Sequence, residues 1–224
     1  PGVDINKFSS PSDSEKNGAR ADLRDKIGAS PDSKVVVSIS RLVPRKGFDV
    51  LISTLAKIKD DVHVVIVGKG RDEKRLKELA EKKDVQNRVH FLGSVSEAEL
   101  KTVLHGSNVF AMLCRDRWKG LEAEGFGIVF LEAQSCALPV IVGDSGGSAE
   151  SLIEDETGFC INPKSENELL TKLELLLNNE ELATKMGRSG RQFVERNHSY
   201  DYLAAQLVPM VQGDFSAIKT ISPK

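Results

Sequence analysis

The chain has 224 residues, 40% of them hydrophobic and 29% charged, with 31 lysines and arginines against 33 acids and a formal net charge of -2. That balance excludes wholesale disorder, gives no sign of a nucleic-acid groove or an anionic membrane surface, and no stretch reaches the roughly 18 apolar residues of a membrane span. Three cysteines, Cys114, Cys136 and Cys160, are odd in number and lie in apolar segments, which suits free thiols in a reducing, cytoplasmic setting.

In chain order, "PGVDINKF" opens without an initiator methionine or a charged-then-apolar leader, and reads as the start of a fragment or a processed piece. "SSPSDSEKNGARADL" (9–23) is polar and broken by Pro11 and Gly18, so residues 1–22 are expected to be a linker and entry segment before a short helix carrying Ala21, Leu23 and Ile27. An ordered domain is expected over 23–197. "KVVVSISR" (34–41) and "HVVIVG" (63–68) are β-branched runs separated by the periodic stretch "FDVLISTLAKI". The alternation continues with "DEKRLKELAEKK" as helix, "RVHFLG" as strand, "SEAELKTVLHG" as helix, "NVFAMLC" as strand, "GIVFLEAQSCA" as helix and "PVIVGD" as strand. Beyond Glu166, Leu169, Leu170, Leu173, Leu176 and Leu177 make one helical face, and amphipathic turns follow from about Leu182 to Phe193 and from Tyr200 to Val211. Strands apolar on both faces that alternate with helices predict an α/β fold with a doubly wound, parallel, Rossmann-like sheet.

Ligands of such sheets bind beyond the carboxyl ends of the strands, which directs attention to the strand-to-helix loops. In "SRLVPRKGF", Arg41 leaves a buried strand and Lys46 precedes a helix opening, a plausible clamp for a diphosphate; the bland reading leaves Arg45 and Lys46 as solvated loop charges. "VGKGRDEKRL" places Gly68 and Gly70 after a strand, but Glu73 stands where a dinucleotide fingerprint needs its third glycine, and 88–93 offers no ribose-binding acid. That disfavours an NAD or FAD oxidoreductase. Gly68 and Gly70 equally fit a tight turn.

"LEAEGFGIVFLEAQ" (121–134) sets Glu124 and Glu132 eight apart around Gly125 and Gly127. A helix opening at Gly127 and Ile128 would aim backbone N–H groups at a ligand, with Glu124 outside its first turn and Glu132 one turn in. Carboxylates accept vicinal hydroxyls, so one can hold a sugar ring and the other a ribose; the alternatives are a helix-dipole contact for Glu124 and an exposed or ion-paired Glu132. A glycosidase acid and nucleophile pair is compatible with the spacing, but leaves the cation clamp without a purpose. "GDSGGSAESL" supplies Gly146 and Gly147 before a short helix capped near Ser148. Ser145 lacks the context of a hydrolase nucleophile, neither His90 nor His105 has an evident pairing role, and the four histidines lack metal-ligand spacing. Trp118, in a polar loop, reads as local packing, a cover over a site or a contact to another domain.

"PGVDINKF", "SRLVPRKGFDVLI", "VIVGKG", "VHFLGSVSEAEL" and "EAEGFGIVFLEAQSCALPVIVGDSGGSAESL" occur in this order over essentially residues 1–200. Together they resemble the C-terminal nucleotide-binding domain of a retaining GT-B glycosyltransferase of family 4. "MLCRDRWKGLEAEGFGIVFLEAQSCALPVI" is most similar to bacterial α-mannosyltransferases acting on phosphatidylinositol mannosides, while other members use UDP-sugars on nearly the same skeleton. The resemblance implies that Arg41 and Lys46 hold the donor diphosphate, Glu124 the transferred hexose and Glu132 the ribose. It also implies that Phe126, Gly127 and Ile128 approach sugar and phosphate through their backbone, and that Gly68, Leu92 and Val95 border the base. The implied donor is GDP-mannose or a UDP-sugar, with no metal and no resident cofactor. The acceptor is a lipid or glycan hydroxyl, held largely by an N-terminal domain that this sequence lacks and toward which residues 198–224 would return. The full-length enzyme would be cytoplasmic or peripheral at the inner membrane face. The fragment would be inactive alone, or serve as a noncatalytic nucleotide-binding module.

Overall fold

The computed structural model describes residues 1–59 and 61–213. Six strands, β1 (Lys34–Ile39), β2 (Val62–Val67), β3 (Val89–Gly93), β4 (Val109–Met112), β5 (Val140–Gly143) and β6 (Gly158–Ile161), form one parallel sheet in the order β3-β2-β1-β4-β5-β6. The described helices are α1 (Asp13–Ile27), α2 (Phe48–Leu55), α3 (Glu73–Lys82), α4 (Glu97–Gly106), α5 (Ile128–Ser135), α6 (Glu166–Asn178), α7 (Glu180–Asn197) and α8 (Tyr200–Val211). This is the doubly wound, parallel, Rossmann-like architecture that the alternation predicts.

Strand periodicity divides the core. Val36, Val64, Ile66, Val109, Ala111 and Ile141 face α2, α3 and α6, whereas Val35, Val37, Val65, Val67, Phe110 and Met112 face α1, α4 and α5. Burying each Val or Ile side chain contributes about 1.5–3 kcal/mol, so runs apolar on both faces are stable only with helices on both sides. The chain winds outward through β2 and β3, then returns to place β4 on the other side of β1. The direction of winding therefore reverses between β1 and β4, the position at which open α/β sheets place the crevice for their ligands.

Two expectations are corrected. Residues 1–22 are not a free linker, because Val3 and Phe8 are buried and α1 already begins at Asp13. Ser12 and Glu15 form a capping box that starts the helix despite Pro11, and Gly18 meets open space on its surface. The strand β6 was not foreseen: "GFCI" is only four residues long and opens on a glycine. A Cβ at Gly158 would press on the Val140 carbonyl, so that close approach between strands selects glycine there. Positions 214–224 of the expected tail lie outside the described residues.

Candidate active site at the switch point

The loop after β1 supplies one half of the site. Arg41 is exposed at the carboxyl edge of the sheet, between backbone hydrogen bonds from Ser40 N to Val67 O (3.0 Å) and from Leu42 N to Lys69 O (3.1 Å). These bonds tie the loop to the one after β2, where a Cβ on Gly68 or Gly70 would overlap the carbonyls of Ser40 and Leu42. The two glycines are thus required by close backbone approach, which was one of the two readings of the sequence. Pro44, Arg45 and Lys46 form a 3-10 turn that ends on Gly47 at φ 70°, and a side chain on Gly47 would overlap the Leu113 carbonyl oxygen. This packing fixes Lys46 directly against the loop after β4.

That second loop carries Glu124. Its carboxylate is buried and accepts from the Lys46 ammonium, from Arg45 Nη1 at 2.8 Å and from the Cys114 thiol at 3.2 Å. Burial would raise the Glu124 carboxyl, but the Lys46 hydrogen bond and charge, with Cys114 and Arg45, outweigh it and hold the group below the usual range. The Cys114 thiol is pushed up to about 12, chiefly by burial, and so remains a donor. The backbone N–H of Glu124 donates to Ser145 Oγ at 3.1 Å, and that hydroxyl donates to Asp116 at 2.6 Å. Ser145 is therefore a support for the Glu124 loop and has no histidine beside it.

Sequence reasoning singled out Lys46 and Glu124 separately and did not foresee that they pair. It also gave Arg45 no role beyond the bland alternative of a solvated loop charge, although its side chain is largely buried between Glu124 and, at 3.8 Å, Glu122. The missed signal was the run of two acids in "LEAEGFG" facing two adjacent cations in "PRKG".

α5 follows Gly127, whose φ of 87° suits glycine and whose Cβ would overlap the Phe130 ring. Ile128 is half exposed at the first turn, and Phe126 packs on His198 with ring centroids 5.5 Å apart, joining this loop to the α7–α8 junction. Glu132 lies one turn in, half-buried, without a hydrogen-bond or ion-pair partner among the described residues. Burial raises its carboxyl above the usual range, partly offset by Lys7. Leu92 and Val95, partly buried, flank the end of β3, and Gly93 O accepts from Gly68 N at 2.7 Å, so these three candidate residues share one corner of the carboxyl edge.

A carboxyl raised in the folded state contributes fully to stability below its unfolded value, and that contribution is lost as pH rises through the folded one. Glu132→Gln is accordingly expected to raise the melting temperature by about 2 °C at pH 7 and to leave it unchanged below about pH 4. Thermal denaturation across that range measures both. A loss of stability at pH 7 would mean that the carboxylate has a structural partner.

Two further features stand out, one apart from the crevice and one at its margin. His63 and His90, far apart in sequence, are stacked with ring nitrogens 2.9 Å apart near the amino ends of β2 and β3, so His90 does have a partner, distant from Ser145. Beside Glu122, residues 117–122 form a projecting hairpin with Trp118 62% and Leu121 88% exposed. The only ring contact of Trp118 among the described residues is local, with Arg117 4.7 Å above it. No described helix is long and apolar enough to cross a membrane.

Residues 19–193 match the family model described as glycosyl transferases group 1. A GDP-mannose-dependent alpha-(1-6)-phosphatidylinositol monomannoside mannosyltransferase of Mycobacterium tuberculosis is 39% identical over 97% of this chain, which spans 56% of that relative. Two solved structures share the fold. Anabaena Alr3699/HepE in complex with UDP is 24% identical with a TM-score of 0.82, covering 95% of this chain and 56% of that one. The C-terminal domain of a glycosyl transferase group 1 family protein (LpcC) from Francisella tularensis is 22% identical with a TM-score of 0.74, covering 89% of this chain and 100% of that one. The chain spans about half the length of the curated relatives it matches. With the switch-point crevice, the cation loop after β1 and the two glutamates around Gly127 all within the matched segment, this chain belongs to the glycosyl transferases group 1 family.

Proposed function

We propose that this chain is the donor-binding half of a retaining glycosyltransferase that moves mannose from GDP-mannose to a hydroxyl on a lipid or glycan. The observation that carries this reading is the meeting of Lys46 and Glu124 from the loops after two adjacent strands, at the reversal of winding, with Glu132 half-buried on α5 and without a hydrogen-bond or ion-pair partner among the described residues. The mannosyltransferase relative at 39% identity supports GDP-mannose as donor.

In this reading the diphosphate lies between Arg41 and Lys46. An ammonium has three donors, so Lys46 can bind a phosphate oxygen while keeping Glu124, and Arg45 holds the same carboxylate in place. Glu124 positions hexose hydroxyls, Glu132 takes the ribose hydroxyls, and the first-turn N–H groups of α5 behind Gly127 face sugar or phosphate. Phe126 and Ile128 border the hexose, and Gly68, Leu92 and Val95 border the base. Two cations and a helix terminus neutralise the leaving diphosphate, so the chemistry proceeds without a metal. The departing phosphate takes the acceptor proton as the acceptor attacks from the same face, which retains configuration. The protein contributes placement and charge stabilisation.

The acceptor side belongs to an N-terminal domain. α8 buries none of its residues, and it exposes Leu207 at 58% and Val211 at 78%, an apolar surface suited to that domain. Transfer by this chain alone is expected to be negligible while donor binding persists, and the full-length enzyme is expected to work in the cytoplasm at the inner membrane face. Calorimetric titration with GDP-mannose, GDP, UDP-glucose, UDP and NAD tests the reading. Saturable binding of the two guanine ligands supports it, preference for uracil ligands shifts the donor, and preference for NAD rejects it.

A further inference from the structure

At the sheet edge opposite the crevice, α1, α7 and the segments entering β1 and β4 enclose a cavity of about 380 Å³. Its wall is strongly cationic. Lys16 and Arg20, one helical turn apart on α1, meet Arg188 of α7, with Arg24 a further turn along. Arg24 is buried and donates from each of its three nitrogens: to the carbonyls of Ser33 (2.9 Å), Arg20 (3.1 Å) and Gly106 (2.9 Å) and to Asn108 Oδ1 (3.2 Å). It fastens α1 to the sheet, while its charge remains.

The other three cations are not satisfied in this way. Lys16 and Arg188 have no side-chain hydrogen bond or ion pair among the described residues, and Arg20 reaches only the exposed Glu180, at 3.7 Å. Arg20 Nε is buried with no partner. Burial, and then the repulsion of Arg20, push the Lys16 ammonium below the usual lysine range, with Glu180 and Asp13 offsetting part of the shift and Arg188 adding to it. The acids on the wall, Asp13, Asp32 and Glu180, are all exposed, as is Arg188, whereas Lys16 and Arg20 are half-buried. A buried guanidinium N–H without an acceptor beside two unpaired cations is the donor set of an anion site whose acceptor comes from outside the chain.

We propose that this cavity binds the phosphate group of a phosphorylated small molecule or lipid headgroup, at a second site independent of the donor crevice. A phosphate matches the wall in charge and in the number of acceptor oxygens, and it would bridge α1 to α7. A neutral sugar would leave the repulsion among Lys16, Arg20 and Arg188 unrelieved. Because the cavity lies at the amino ends of the strands, its ligand should not compete with a donor nucleotide.

Calorimetric titration of pyrophosphate into this chain tests the assignment, comparing wild type with Lys16→Gln/Arg188→Gln. Neither side chain makes a contact that folding needs, and circular dichroism checks the double variant; Arg20→Gln serves as an independent second variant. The pyrophosphate phase of the cavity should weaken at least tenfold in both, and that phase should survive in Lys46→Met, which disables the donor crevice. Isotherms identical to wild type in both cavity variants, or a single phase abolished by Lys46→Met, would overturn the proposal. Flotation with phosphatidylcholine vesicles, with and without phosphatidylinositol phosphate, then separates the sources. Co-flotation that depends on Lys16 and Arg188 assigns a headgroup, and pyrophosphate binding without flotation assigns a free ligand.

Discussion

Replacing Lys46 with methionine is expected to lower stability by about 3 kcal/mol and donor affinity by about 100-fold, and a second substitution, Glu124→Gln, should restore only the first. The reasoning starts from burial. Both side chains of the pair are more than nine-tenths shielded from solvent, so the methionine variant leaves a buried carboxylate with Arg45 and the Cys114 thiol as its remaining partners. Removing one member of such a pair costs more than the pair was worth, because the other member stays desolvated. Neutralising Glu124 removes that penalty, and denaturant melts of the double variant should return close to wild type. Donor binding should not return, since the diphosphate has still lost its ammonium. If calorimetry shows donor affinity recovering with stability, Lys46 is a structural partner of Glu124 and no phosphate ligand. The pH dependence has a definite sign. Glu124 is held below the ordinary carboxylate range, so its contribution is present above that range and is lost as pH falls through the lowered folded value.

Gly146→Ala is expected to destabilise the chain by about 2–3 kcal/mol and to weaken donor binding at least tenfold, although Gly146 itself would touch no donor. Its φ of 54° lies in the left-handed region, and a Cβ there would overlap the Glu124 carbonyl oxygen. The neighbouring Gly147 N donates to that same oxygen at 3.0 Å, so the loop after β5 is the floor on which Glu124 rests. Relief of the overlap displaces the Glu124 backbone or the loop beneath it, and the expected loss of donor binding follows if Glu124 is the part that moves. Gly125→Ala is the control: nothing lies within 4 Å of a Cβ at that position, and its melting temperature should stay within about 1 °C of wild type. Equal losses in the two variants would show that the loops tolerate or resist substitution for a reason other than this contact.

Much of the architecture was legible because β-branched runs such as "KVVVSI" and "VHVVIV" are apolar at every position, a pattern stable only in a sheet covered on both sides. The short pieces were not. "GFCI" carries too few residues for a period, and the Ser12 capping box outweighed Pro11 and Gly18, whose usual meaning is a break. At the site, spacing showed which residues reach the carboxyl edge. It could not show that Lys46 and Glu124 meet, because that depends on β1 and β4 being neighbours, a property of strand order and not of local pattern. Arg45 was missed for the same reason: its partners, Glu122 and Glu124, lie nearly eighty residues further along the chain.

The crevice account is tested most directly by a crystal structure of this chain with GDP-mannose. It predicts the diphosphate between Arg41 and Lys46, hexose hydroxyls on Glu124, and both ribose hydroxyls on Glu132 beyond the first turn of α5. A nucleotide bound elsewhere, or bound in the crevice with Glu132 facing no hydroxyl and Lys46 still engaged only with Glu124, would contradict it.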